Sequence, residues 1–447
     1  MMPRERRLNF RYLATPGGLA RERAVVVDEA GMIRAIEPAS GPWDGTLALP
    51  GMPNAHSHVF QRALAGCGEA RSGEDSFWSW REAMYRLAAR VDADALYAIA
   101  RYAYGEMLAA GFTSVAEFHY LHHRRDGARG TDMAEAVLTA AREVGIRLRL
   151  LPVLYQRGGF DRAAGTEQMR FVHERTEDFL RLLETLAPAH PGLAFHSLRA
   201  VAAETLAPTL AAARDLLGAD IPVHIHIAEQ RREVADCRAA SGHTPVELLM
   251  QSLTVDKYWS LVHATHCEAA ELKALHETGA TIVVCPLTEA YLGDGLFPGR
   301  DYFAGGGRVA IGSDSNARID AIEELRWLEY GQRLRDEARA RFADAQGLGL
   351  PLWQRAAAGG ARALALPVGA IAPGCAADFV VLESEADALL GHMSETWADA
   401  LIVGGSRHDL AAVYVGGERL VEAGEWNGKS AIAGRYHDCV RKLLDQT

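Results

Sequence analysis

Lysine is nearly absent from this chain: Lys257, Lys273, Lys429 and Lys442 are four among 47 basic side chains, and arginine supplies the rest. No stretch gathers basic residues, with or without interleaved aromatics, into a nucleic-acid surface. The net charge of −11 argues the same way, so no nucleic-acid partner is expected. Six cysteines are scattered with no Cys-x-x-Cys spacing, which excludes a disulfide framework and a thiolate zinc site. Apolar runs long enough to cross a bilayer are missing, and residues 1–7 lack the apolar core of a secretory signal. The expectation is a cytoplasmic protein without a membrane partner. Internal repeats and low-complexity segments are lacking too.

What the chain does have is an ordinary globular composition, 49% hydrophobic and 23% charged over 447 residues, enough for a large core. Short apolar, β-rich segments recur at 46–53, 113–118, 147–154, 193–198, 221–227, 259–264, 281–286 and 309–312. Helix-forming stretches at 81–110, 131–144, 167–186, 231–252 and 321–345 lie between or after them. Eight strands alternating with helices predict a (β/α)8 TIM-type barrel, here over residues 49–366. Hairpin-like stretches at both ends, 24–36 and 377–421, predict that residues 1–48 and 367–447 combine into one small β-sandwich domain.

Active sites of such barrels form where strands end at their C-terminal side. The chemically useful residues fall there: His56 and His58; Glu117, His119 and Tyr120; His196 and Arg199; His226 and Glu229; His263; and Asp314. Alternate residues of a strand share a face, so His56 and His58 could grip one ion together. A zinc-type catalytic ion takes three or so nitrogen and oxygen ligands and keeps a position open for water. One more histidine and Asp314 would complete such a set. His224 and His226 share a face, and at about 3.3 Å of rise per residue His224 lies roughly 6 to 7 Å deeper in the barrel. His226 is therefore the better ligand, and His224 reads as a buried hydrogen-bonding residue. Asp314, taken alone, reads as a turn or helix N-cap; the company of the histidines favours a ligand.

The pieces Pro-Gly-Met-Pro-Asn-Ala-His-Ser-His at 50–58, His-Ile-His-Ile-Ala-Glu at 224–229, Val-His-Ala-Thr-His at 262–266, Gly-Ser-Asp-Ser at 312–315 and Pro-Gly-Cys-Ala-Ala-Asp at 373–378 resemble the amidohydrolase superfamily. Many members bridge two metals with a carboxylated lysine. With no lysine before Lys257, the resemblance implies the single-metal subtype, one divalent ion of zinc type held by His56, His58, His226 and Asp314. It further implies that Glu229 shuttles protons between water and substrate nitrogen, and that His263 and Asp314 orient the water and stabilise charge.

Segments 75–81, 116–120, 195–201 and 324–335 are similar to the branch of that family that deiminates N-formimino-L-glutamate, releasing ammonia and N-formyl-L-glutamate in histidine degradation. A dicarboxylate needs fixed donors, and the planar fork of arginine suits carboxylates. The likeness assigns that role to Gln61, Arg81, Tyr120, His196 and Arg199, and implies a homodimer. The alternatives are another single-metal deaminase acting on a heterocycle, and an inactive barrel serving as a binding protein. The arginine pair and the complete ligand set argue against them.

Overall fold

The computed structural model describes residues 5–67, 69 and 77–445; positions 75 and 76 of the segment 75–81 lie outside them. Eight strands, Met52–Ser57, Phe112–His119, Arg147–Leu154, Leu193–Ser197, Val223–Ile227, Trp259–His263, Thr281–Val284 and Arg308–Ile311, form one sheet in that order, and every pairing is parallel. Parallel neighbours need long crossovers, and the helices between strands supply them. Closure comes just past the eighth strand, where Asp314 N–H donates to His56 O (3.0 Å) and His58 N–H donates to Asp314 O (2.9 Å). The first and last strands approach so closely that a Cβ on Gly312 would stand 2.8 Å from His56 Cβ, a spacing only glycine permits.

Both chain ends build a second sheet from Arg6–Thr15, Gly18–Val27, Ile33–Pro38, Gly45–Pro50, Phe379–Leu382, Ala412–Val415, Glu418–Glu422 and Glu425–Trp426. Its pairings are antiparallel except Gly45–Pro50 on Arg6–Thr15. It carries its own apolar core, with Phe10, Val25, Ala48, Phe379 and Val413's neighbour Tyr414 among its members. The C-terminal helix Lys429–Leu444 instead lies on Ala93–Ala109 of the barrel, where the Tyr436 and Tyr102 rings stack at 4.3 Å.

The apolar run 46–53 is therefore not one barrel strand. Its first part belongs to the small sheet, across the 48/49 boundary expected from sequence, and the histidine pair belongs to the next strand. Gly51 makes the break: its N–H donates to Asp378 O (2.9 Å), and the Thr113 side chain occupies the space a Cβ would need. Several expected helices also divide. The expected helix 81–110 is instead Phe77–Ala88, which begins earlier, and Ala93–Ala109, the second restarted by Asp92, which caps Ala95 N–H. Residues 231–252 hold Arg231–Ser241 and Pro245–Ser252, separated by Gly242 at φ 78° and restarted by a Thr244/Glu247 capping box. Only Thr176–Leu186 of 167–186 is α-helical, and Ala321–Asp336 stops well short of residue 345. Caps and left-handed residues decide where these helices end. Among the described residues, no helix is long and apolar enough to cross a membrane.

Candidate active site

His56 lies one residue before the end of the first barrel strand and His58 just past it; His226 lies at the mouth of the fifth strand and Asp314 follows the eighth. Their ligating atoms all lie within 4.8 Å of one another. The three Nε2 atoms are 3.0 to 3.3 Å apart, and Asp314 Oδ1 is 3.4 Å from His56 and 3.3 Å from His58. Nitrogens at about 2.0–2.1 Å from a tetrahedral ion would be spaced by roughly 3.3 Å. Tautomers reinforce this fit. His58 Nδ1 faces Phe118 O (3.1 Å) and His226 Nδ1 faces His196 O (2.9 Å). A carbonyl only accepts, so both Nδ1 atoms carry the proton and both Nε2 atoms turn bare lone pairs inward. Burial, first of all, holds His56, His58 and His226 below the ordinary histidine range. Neutral imidazoles and a carboxylate aimed at one point are a donor set for a divalent cation.

His224, on the same strand face but deeper, has its Nε2 2.8 Å from Ala363 O and stays outside this group. Asp314 does not cap the next helix; Asp320 does, accepting from Ile322 and Glu323 N–H. Glu117 is also apart from the ligands. It accepts from Val59 N–H (2.8 Å), and burial raises it to about 8. His119 packs against His122, ring centroids 5.4 Å apart, and does not line the cavity shared by His58, His226 and Asp314. His266 Nε2 is bonded to Asp294 O (2.8 Å).

Beside the ligands stand Glu229 and His263, with Glu229 Oε1 3.7 Å and Asp314 Oδ2 3.8 Å from His263 Nε2. Burial pushes Glu229 up to about 7, with His263 opposing. Burial works against a charged His263, but the carboxylates of Glu229, Glu289 and Asp314 outweigh it and raise the ring to about 10. His263, Ala228 and Asp314 hold φ of 71°, 50° and 45°. Left-handed backbone costs a non-glycine residue of order 1–3 kcal/mol, and such strain concentrates where side chains must be aimed.

One cavity holds these groups together with Gln61, Arg81, Tyr120, His196 and Arg199. Gln61 Nε2 donates to Tyr120 Oη (2.7 Å). Arg199 is buried, which works against its charge, but Glu233, Tyr155, Glu229 and Tyr85 together outweigh that cost. Arg81 is lowered by burial and further by the nearby Arg199 charge. Two close guanidiniums line the same cavity as Glu229, whose charge, with that of Glu233, acts on Arg199. Arg81, Tyr85 and Arg199 also line an adjoining cavity of about 910 Å³, so both cavities meet at the arginines.

Several lining or supporting residues were not singled out from sequence. Tyr155 directly follows the third strand, so the strand-end rule could have found it. Glu233, which accepts from Glu229 N–H (3.0 Å), and Glu289, which meets His263 Nδ1 at 3.2 Å, read locally as first-turn helix acids. Only their tertiary neighbours distinguish them.

Comparison with known proteins gives a consistent picture. Residues 47–420 match the Amidohydrolase family. The chain is 45% identical over 455 aligned positions to formimidoylglutamate deiminase of Pseudomonas aeruginosa, covering 96% of this chain and 98% of that one. A solved amidohydrolase from Brucella melitensis superposes with a TM-score of 0.90 at 39% identity, covering 98% and 99% of the two chains. An adenosine deaminase from Xanthomonas campestris with bound zinc shares the fold, with a TM-score of 0.79 at 21% identity over 98% of each chain. By the extent of the family match and the identity to full-length relatives, the chain belongs to the amidohydrolase family.

Proposed function

We propose that this chain hydrolyses N-formimino-L-glutamate to N-formyl-L-glutamate and ammonia, a step of histidine degradation, as a cytoplasmic homodimer using one zinc ion. The observation that carries the reading is a single cavity lined both by the His/Asp ligand group with Glu229 and by two arginines. The 45% identity to a formimidoylglutamate deiminase supports the same substrate.

A divalent ion held by His56, His58, His226 and Asp314 supplies the Lewis acidity that lets water attack near neutral pH. Arg199 and Arg81, with His196, Tyr120 and Gln61, hold the two carboxylates and so set the formimino carbon before the water. Glu229 takes a proton from the attacking water as its oxygen adds to that carbon. The same carboxyl gives that proton to the terminal nitrogen and then passes the proton of the added hydroxyl to the same nitrogen, so the C–N bond breaks as the C=O bond forms and ammonia leaves. His263, beside Glu229 and Asp314, stabilises the charge that develops on the adding oxygen.

The direct test is ammonia release by purified, zinc-loaded protein. N-formimino-L-glutamate should be consumed rapidly, and adenine, guanine and cytosine barely. Preference for a heterocycle would favour the rival deaminase, and no ammonia from any of them would sink both readings. Arg199→Met is expected to remove roughly 2–5 kcal/mol of charge-assisted binding, lowering kcat/KM for the dicarboxylate by at least about 30-fold. A variant that stays folded by thermal melting with kcat/KM unchanged would take Arg199 out of substrate recognition.

A further inference from the structure

We infer that Glu289 is a positioning residue for the reaction: it fixes the His263 ring so that Nε2, and not Nδ1, faces the reacting atoms. This rests on the deiminase reading above and names a part of the site that neither the strand-end pattern nor the ligand set includes.

Glu289 Oε1 lies 3.2 Å from His263 Nδ1, and both side chains are buried. A carboxylate accepts, so Nδ1 is the donor and must carry a proton. Nε2 then faces the gap bounded by Glu229 Oε1 at 3.7 Å and Asp314 Oδ2 at 3.8 Å. Without an acceptor behind it, the ring has a broad, nearly two-fold torsion, and either nitrogen can face the gap. Only one of these arrangements presents the same nitrogen in the same place on every turnover.

The acceptor is itself held. Glu289 Oε1 also accepts from Cys285 N–H at 2.9 Å, across the first turn of the helix Pro286–Leu292. That helix is tied to the turn carrying Asp314: Thr288 Oγ1 is 2.9 Å from Ser315 Oγ and 3.3 Å from Ser313 O. Its Leu287 N–H donates to Glu324 (3.0 Å), reached from the next helix. The seventh-strand turn thus acts as a rigid mount whose position is set by the ligand-bearing eighth strand. A third group orienting an acid–base histidine is the general logic of catalytic triads. The competing explanation is that Glu289 merely caps the helix through Cys285 N–H.

A double-mutant cycle separates the two. Glu289→Ala is expected to lower kcat by about 10- to 100-fold, as loss of a partner orienting an active-site histidine typically does, with KM within about 2-fold and bound zinc unchanged. Glu289→Gln, whose amide oxygen still accepts from Nδ1, should recover most of that loss. In a His263→Asn background, Glu289→Ala should change kcat by less than about 2-fold, because its effect runs through the ring. Equal losses in both backgrounds, or parent-like kcat in Glu289→Ala, would overturn the inference in favour of a capping role. Proton–nitrogen NMR of the histidine rings gives a readout that needs no substrate. The parent should show a downfield Nδ1 proton that disappears in His263→Asn and in Glu289→Ala. Should Glu289→Ala not fold, Glu289→Gln must shift that resonance upfield; an unmoved resonance would overturn the inference. A parent inactive on N-formimino-L-glutamate would sink the substrate assignment and leave Glu289 to be judged by the spectrum.

Discussion

Glu229→Gln protein is expected to bind zinc like the parent and to release ammonia from N-formimino-L-glutamate about 10²- to 10⁴-fold more slowly, the range over which a positioned general acid–base group contributes. The side chain is buried within 3.7 Å of His263 and is not one of the four converging ligands. Glutamine preserves its shape and removes its proton-transfer capacity, so ligand geometry has no reason to change. The loss should fall on kcat, because the arginines proposed to hold the carboxylates are untouched. The pH profile adds a second signature. Burial pushes Glu229 up to about 7, so its basic form is depleted as pH falls below that value and kcat/KM should decline on the acid side. A cation at the neighbouring histidines favours the carboxylate and moves this limb lower. Glu229→Gln should lack the limb altogether. Parent-like turnover in the variant, or an identical acid limb, would remove Glu229 from the proton path.

His226→Ala should lose the metal. Three inward-facing Nε2 atoms and one carboxylate oxygen make the donor set, and removing one nitrogen leaves two imidazoles and a carboxylate around a larger opening. Disturbing the partners that merely orient a ligand already costs about 10- to 100-fold in affinity. Removing the ligand itself should cost more, with activity falling by at least about 10³-fold at limiting zinc. Elemental analysis after dialysis is the check, and a full equivalent of zinc on His226→Ala would refute the ligand set. In the parent, chelation should abolish activity and added zinc restore it. The same titration should raise the melting temperature of the parent, since an ion bound only by the native state stabilises it by about 2.7 kcal/mol at a hundredfold excess over Kd. His224→Ala is a useful contrast: its ring is bonded to Ala363 O, deeper in the barrel, so zinc should be retained.

How much of this was legible beforehand varies residue by residue. His56 and His58 announce themselves because strand alternation is local and puts i and i+2 on one face whatever the rest of the chain does. The choice of His226 over His224 also follows from strand rise alone. Which strand carries the first pair was misjudged: 46–53 is one apolar run in sequence, yet Gly51 divides it between two sheets. Backbone pairing partners made that difference, and apolar side chains look alike in either sheet. Glu289 illustrates the same limit at the site. Three residues into a helix that opens with Pro286, it reads as a favourable first-turn acid, and nothing nearby in sequence indicates His263.

By itself, then, the sequence determined the alternation of strands and helices and the metal-ligating residue types at strand ends. These are properties of residue type and short-range periodicity. Only the tertiary structure decided that His56, His226 and Asp314, from the first, fifth and eighth strands, bring their ligand atoms within 4.8 Å of one another, that Arg81 and Arg199 face them from one cavity, and that Glu289 stands behind His263. The physical reason is ring closure. Each parallel crossover places one strand beside the next, and the final pairing of Ser57 with Asp314 brings the two ends of that series together, so residues distant in the chain come to share one mouth.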